Sequence, residues 1–94
     1  MKYFDWDRDK NEVLKENREI SFDEVVDAYE SGNVLDVIKN PSKKHSEQRV
    51  LVVNIRNYIY LVPFVENNEK YFLKTIFPSR KMTKKYLIKG GVNK

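Results

Sequence analysis

The sequence has no cysteine, which excludes disulfides, thiolate nucleophiles and zinc–sulfur centres. Its three glycines, two of them adjacent at Gly90-Gly91, leave no glycine-rich phosphate loop. One histidine and no cysteine argue against a transition-metal site, and no cofactor is expected. The longest apolar run, Ile59 to Val65, is far short of the ~20 residues of a membrane-spanning helix. The opening MKYFDWDRDK is charged at once and lacks an apolar stretch, so no signal peptide is expected. The missing thiols suit a reducing cytoplasm, the expected location.

Acidic residues are scarce in one half only. Residues 1–31 carry ten acids and five bases, a net −5, whereas residues 32–94 carry thirteen bases and four acids, a net +9. From Ser79 onward there are six bases and no acid. This asymmetry points to a polyanion or an acidic protein on the back half. The alternative is a solvated surface that the front half neutralises internally. The 94 residues make one domain. That length buries somewhat more than ~60% of the unfolded surface, enough for one core without staples. We expect the domain to span residues 1–89 and residues 90–94 to form a flexible tail.

Tyr3 to Trp6 is short and aromatic and reads as an edge strand. Asp7 is a good N-cap for a polar helix over roughly Arg8 to Asn17, with Val13 and Leu14 as its apolar anchors. Ser21-Phe22-Asp23-Glu24 is a capping box, followed by a Phe22, Val25, Val26, Tyr29 stripe that Ser31-Gly32-Asn33 ends. Val34 to Ile38 alternates loosely as a strand. Arg49 to Ile55 is a strand, with Arg56-Asn57 as a tight turn. Tyr58 to Val65 is apolar on both faces and should be central, yet Pro63 cannot donate to a ladder, so a bulge or one-sided pairing is expected there. Lys70 to Phe77 is the next strand, and Thr83 to Ile88 a short basic helix. The fold class is α+β: an antiparallel meander sheet with two N-terminal helices and a short C-terminal helix.

Lys81, Lys84 and Lys85 are spaced to share one helical face that attracts phosphates. Tyr86 and Tyr71 are candidates to stack on an unpaired base. Equally, Tyr86 and Leu87 could pin the helix while the lysines are solvated. Asp5, Asp7 and Asp9 could imitate a magnesium cluster, but acids at a helix start are favoured anyway, and we expect capping and no metal. His45, in a basic loop, is either simply exposed or a general acid–base.

Phe4-Asp5-Trp6-Asp7 with Lys10, then Ile20-Ser21-Phe22 sixteen residues after Trp6, resembles the opening of the BrnT family, which reads W-D-x-x-K and then K-H-G-[VI]-S-F. Glu47-Gln48-Arg49 before a strand, and Thr75 to Thr83 (TIFPSRKMT), resemble the family's Glu-Arg-strand segment and its I-S-A-R-[KR]-A-T end. The resemblance covers residues 3–86. It implies a RelE-like fold and the toxin of a bacterial type II toxin–antitoxin pair. It further implies a metal-independent endoribonuclease that cuts RNA, such as mRNA, and inhibits translation. Its partner would be a DNA-binding antitoxin, and DNA would be reached only through that partner. By position it nominates Lys10, Arg49 and Arg80, with Trp6 and Phe22 as framework. The family's His falls on Arg18 and its Gly on Glu19, and Lys84-Lys85-Tyr86 replace the usual Glu-Arg pair.

RNA supplies its own 2′-OH nucleophile, so the protein need only align it, stabilise charge and move protons. Arg49 and Arg80 are the expected clamp on one phosphate, since a guanidinium matches phosphate oxygens and stays charged. The proton would pass through His45, a tyrosine or a lysine with a lowered pKa. Lys10, Arg18, Lys81, Lys84, Lys85 and Tyr86 are the expected RNA contacts. The competing reading is a non-catalytic homologue that binds an acidic antitoxin segment on its basic face.

Overall fold

The computed structural model describes residues 2–40, 42–45 and 47–88. The order is β1 (Tyr3–Trp6), α1 (Arg8–Arg18), α2 (Phe22–Glu30), β2 (Val34–Lys39), a 3-10 turn (Lys43–His45), β3 (Arg49–Ile55), β4 (Tyr58–Glu66), β5 (Lys70–Leu73), β6 (Phe77–Pro78) and α3 (Arg80–Thr83). A π turn, Lys84–Ile88, continues α3. The expected tail lies outside the described residues. No described helix is long and apolar enough to cross a membrane.

The architecture is α+β. The sheet runs β1-β5-β4-β3-β2, and β6 also pairs with β4. β2 to β5 form the expected antiparallel meander. β1, however, runs parallel to β5, so the sheet is mixed. The two-helix connection between β1 and β2 is long enough to place these strands on opposite edges.

Local chemistry sets the helices. The Asp7 carboxylate accepts the Lys10 N–H at 3.0 Å and caps α1. Leu14 is buried as expected, but Val13 is 46% exposed. Asn11 takes the second inward place, and its Oδ1 accepts the Phe22 N–H at 2.7 Å. That N–H is one of the donors left without an intrahelical partner at a helix start, so α1 caps α2 through a side chain. The Glu24 carboxylate accepts the Ser21 N–H at 3.1 Å, the return half of the capping box. Phe22, Val25 and Ala28 face inward, while Tyr29 is 49% exposed. Gly32, at φ +80°, ends α2 in the left-handed conformation that glycine adopts without a Cβ clash.

One core joins these helices to the sheet face beneath them, through Leu14, Ile20, Phe22 and Val25 against Leu51, Val53, Val62, Phe64, Leu73 and Ile76. Trp6 stacks on Phe22 with ring centroids 5.6 Å apart. At the β3–β4 hairpin, Arg56 and Asn57 have φ of 54° and 65°, the pair of left-handed residues that matches strand twist. The Arg56 guanidinium pairs with Glu24 and donates to the Glu19 carbonyl at 3.0 Å, pinning the hairpin to the α1–α2 corner.

Pro63 sits in the central strand and produces the expected bulge. Phe64 pairs with Leu73, but Leu61 pairs with Phe77. Three residues, Lys74 to Ile76, therefore stand opposite two, Val62 and Pro63. The Pro63 carbonyl accepts the Lys74 N–H at 2.8 Å, so the edge of Pro63 that lacks a donor faces the extra residue. The shift splits the expected Lys70–Phe77 strand into β5 and β6. It also lets Leu73 and Ile76, three positions apart, both enter the same core.

Replacing Asn11 with Ala leaves the buried Phe22 N–H without its acceptor. The expected loss is about 1–3 kcal/mol, read as a lower urea midpoint at an unchanged slope.

Candidate functional site

The sheet presents two faces with different chemistry. The face beneath α1 and α2 holds the core and, at its open end, a cavity of about 280 Å³ lined by Phe4, Tyr29, Val37, Arg49, Leu51, Phe64, Glu66 and Tyr71. The opposite face carries Val52 and Ile59, both fully buried. α3 is bolted there through one hydroxyl. Thr83 Oγ1 accepts the Ile59 N–H at 2.9 Å and donates to the Ser79 carbonyl at 2.8 Å. The Ser79 N–H closes the ring on the Ile59 carbonyl at 3.0 Å.

Beside α3 this second face opens into a groove of about 530 Å³. Ile38, Val50, Leu61, Pro63, Phe77 and Met82 line it, and Asn40, Gln48, Lys74 and Thr75 form its rim. The bulge shapes it: the register shift turns Phe77 onto this face and lifts Lys74 and Thr75 to the lip. Asn40 ties to Gln48 through side chains at 3.2 Å and main chains at 3.2 Å, which fixes the other lip. Alongside lie Arg80, Lys81, Lys84 and Lys85, all exposed.

The structure does not bring Arg49 and Arg80 together. Arg49 pairs with Phe64 near one end of β4 and lines the cavity on the helix side. Arg80 opens α3 just after Pro78, which pairs with Tyr60 near the other end of β4. Four residues of strand, about 13 Å, separate these positions along β4, and the sheet lies between the two faces. These positions argue against a clamp of both arginines on one phosphate. Sequence patterning missed this because Arg49 alternates with the core residues Leu51 and Val53, while Arg80 follows a bulge that inverts the facing of the chain.

The remaining candidates divide by partner. Arg18 donates to the Ile76 carbonyl at 2.6 Å, so its guanidinium braces the bulge rather than standing free for RNA. Tyr86 donates its hydroxyl to the Asp36 carboxylate at 2.9 Å and ties the π turn to β2. Tyr71 packs on the helix side, 5.3 Å from Phe4 and 5.7 Å from Phe64, so it shares no stacking surface with Tyr86. Lys81 lies in α3 and Lys84 and Lys85 in the π turn, so the regular α-helical spacing expected of them is not kept. Lys85 sits 5.6 Å above the Tyr86 ring. Lys10 lines a shallow hollow with Asp7, Asp9, Val13, Phe72 and Lys74. The His45 side chain lies outside the described part of the chain.

The acids near the N-terminus have partners of their own. Asp7 caps α1, and Asp5 pairs with Lys70 at 2.9 Å across the β1–β5 ladder. That hydrogen bond, with the Trp6 N–H, holds the Asp5 carboxyl below its ordinary range. Among the described residues no group of three His, Cys, Asp or Glu is placed to hold a metal ion. None of the apolar groove residues, Phe77 and Met82 included, is a candidate from the sequence, because each reads alone as an ordinary apolar residue. No known protein family, curated protein or solved structure matches the chain.

Arg18→Met is expected to cost about 1–2 kcal/mol by urea unfolding, since a carbonyl freed by the bulge loses a charged donor.

The Asp36 hydrogen bond raises the Tyr86 pKa, with burial adding to it. A raised folded-state value means that its contribution to stability is complete below the unfolded tyrosine pKa. The contribution is lost as pH rises through the folded value. Asp36→Ala should therefore move one of the six tyrosines to lower pH in a phenolate absorbance titration.

Proposed function

We propose that the chain is a partner-binding module: a toxin-type homologue whose second sheet face holds an acidic, amphipathic segment of a cognate antitoxin-like protein. The carrying observation is the apolar groove lined by Val50, Leu61, Pro63, Phe77 and Met82 beside a cationic helix. An apolar trough takes the apolar side of such a segment, and Lys74, Arg80, Lys81, Lys84 and Lys85 meet its acidic side. Charge complementarity commits the occupant, because residues 80–88 carry no acid. The separation of Arg49 from Arg80 supports binding over phosphate chemistry.

Glu19 supports the family reading. It stands where the BrnT pattern carries Gly, and it holds a left-handed φ of 54° at the end of α1. That backbone position is one glycine occupies without strain. A cytoplasmic setting suits a chain without cysteine. An endoribonuclease is the second reading, favoured by the exposed Arg80 and its neighbouring lysines.

Two assays separate the readings. In the first, wild type and Arg80→Ala are induced in cells that make no partner; equal growth and intact RNA in both are expected. RNA cleavage by the wild type that Arg80→Ala abolishes would overturn the module. In the second, a synthetic acidic amphipathic helix is titrated against the wild type and Phe77→Glu. Binding that weakens with salt, and roughly tenfold or more in Phe77→Glu, is expected. Equal affinity for both proteins would remove the groove from the account.

A further inference from the structure

The cavity on the helix side is independent of the groove and has its own chemistry. Four of its lining residues are aromatic and pack one on the next. Phe4 lies 5.0 Å from Tyr29, edge to face, and 5.3 Å from Tyr71, which in turn lies 5.7 Å from Phe64. Leu51 and Phe64, both from the core, contribute apolar walls. The rim carries the Arg49 guanidinium and the Glu66 carboxylate. Glu66 is already paired with Lys2, whose ammonium also sits 5.3 Å from the Tyr71 ring centroid.

We propose that this cavity binds an aromatic monocarboxylate, its ring among Phe4, Tyr29 and Tyr71 and its carboxylate on Arg49. Size fits: a cavity of about 150 Å³ holds one benzene ring. The 280 Å³ here therefore leaves room for a short chain and a carboxylate. Ring packing fits, since the walls offer both faces and edges to an incoming ring. Charge sets the number of negative groups. Lys2 and Arg49 against Glu66 leave one uncompensated positive charge, which one carboxylate satisfies. A dianionic phosphate would lie against the Glu66 carboxylate and be repelled. The guanidinium fork matches two carboxylate oxygens at once. The same chemistry could arrive as a free acid or as the C-terminal aromatic residue of a peptide.

The test is a titration of the full chain followed by its amide NMR spectrum. The probes are hydrocinnamate, hydrocinnamide, and a short peptide ending in phenylalanine with its carboxylate free or amidated. Hydrocinnamate should bind at a saturable site that perturbs Leu51, Phe64 and Tyr71, and hydrocinnamide should bind roughly tenfold more weakly or worse. Arg49→Gln should lose a similar factor while its unliganded spectrum stays folded, and Arg49→Lys should recover part of it. Tighter binding of the free-carboxylate peptide than of hydrocinnamate would assign the site to a chain terminus, and the reverse order to a free acid. Equal binding of acid and amide, equal binding by Arg49→Gln, or no saturable binding of either carboxylate would each overturn the proposal.

Discussion

The missing N–H of Pro63 is the constraint on which the rest of this molecule depends. It sits in the strand at the middle of the sheet, where every neighbour expects a donor. The facing chain accommodates it with one extra residue, and a strand that would have run unbroken to Phe77 becomes two. β5 stays on the helix side and supplies the edge to which β1 adds. β6 carries the chain onward with the opposite facing, which delivers α3 to the second face. The Ile76 carbonyl, freed from the ladder, is taken up by Arg18 from α1. One proline thus links the N-terminal helix, the central strand and the C-terminal helix.

The groove and the cavity are the two consequences of that break. Beyond the bulge, Phe77 and Met82 face away from the core and, with Leu61 and Pro63, make an apolar trough. Before the bulge, Leu73 stays in the core, and Tyr71 lines a cavity with Phe4 and Tyr29. The charge asymmetry of the chain divides in the same way. Part of the acidic half is spent internally, on the α1 cap at Asp7, on Lys70 through Asp5 and on Arg56 through Glu24. The basic residues of α3 and its π turn stay exposed along one side of the groove.

Much of the fold could be read from the sequence because its signals are local. The Ser21–Glu24 box, the Arg56-Asn57 turn, the β3 run and the conflict at Pro63 each depend on a few neighbouring residues. What could not be read depends on pairing between distant segments. Nothing in Tyr3–Trp6 says that it will run parallel to Lys70–Leu73. Asn11 looks like a solvated helix position until its carbonyl oxygen is found on the Phe22 N–H. Arg49 and Arg80 both border strands of one sheet, and only the register across Val62 and Pro63 decides that they face apart. The spacing of Lys81, Lys84 and Lys85 presumed an α-helix, and the chain turns to π geometry at Lys84.

Cross-strand contacts between backbone protons on either side of the bulge test the central claim most directly. An NMR spectrum of the full chain should place Leu61 opposite Phe77 while Phe64 stays opposite Leu73. It should also place the Ile76 methyl groups among the core residues beneath α1 and α2. A continuous register, with Leu61 opposite Ile76, would put Ile76 on the second face and Phe77 in the core. The groove would then not exist, and the account built on Pro63 would be wrong.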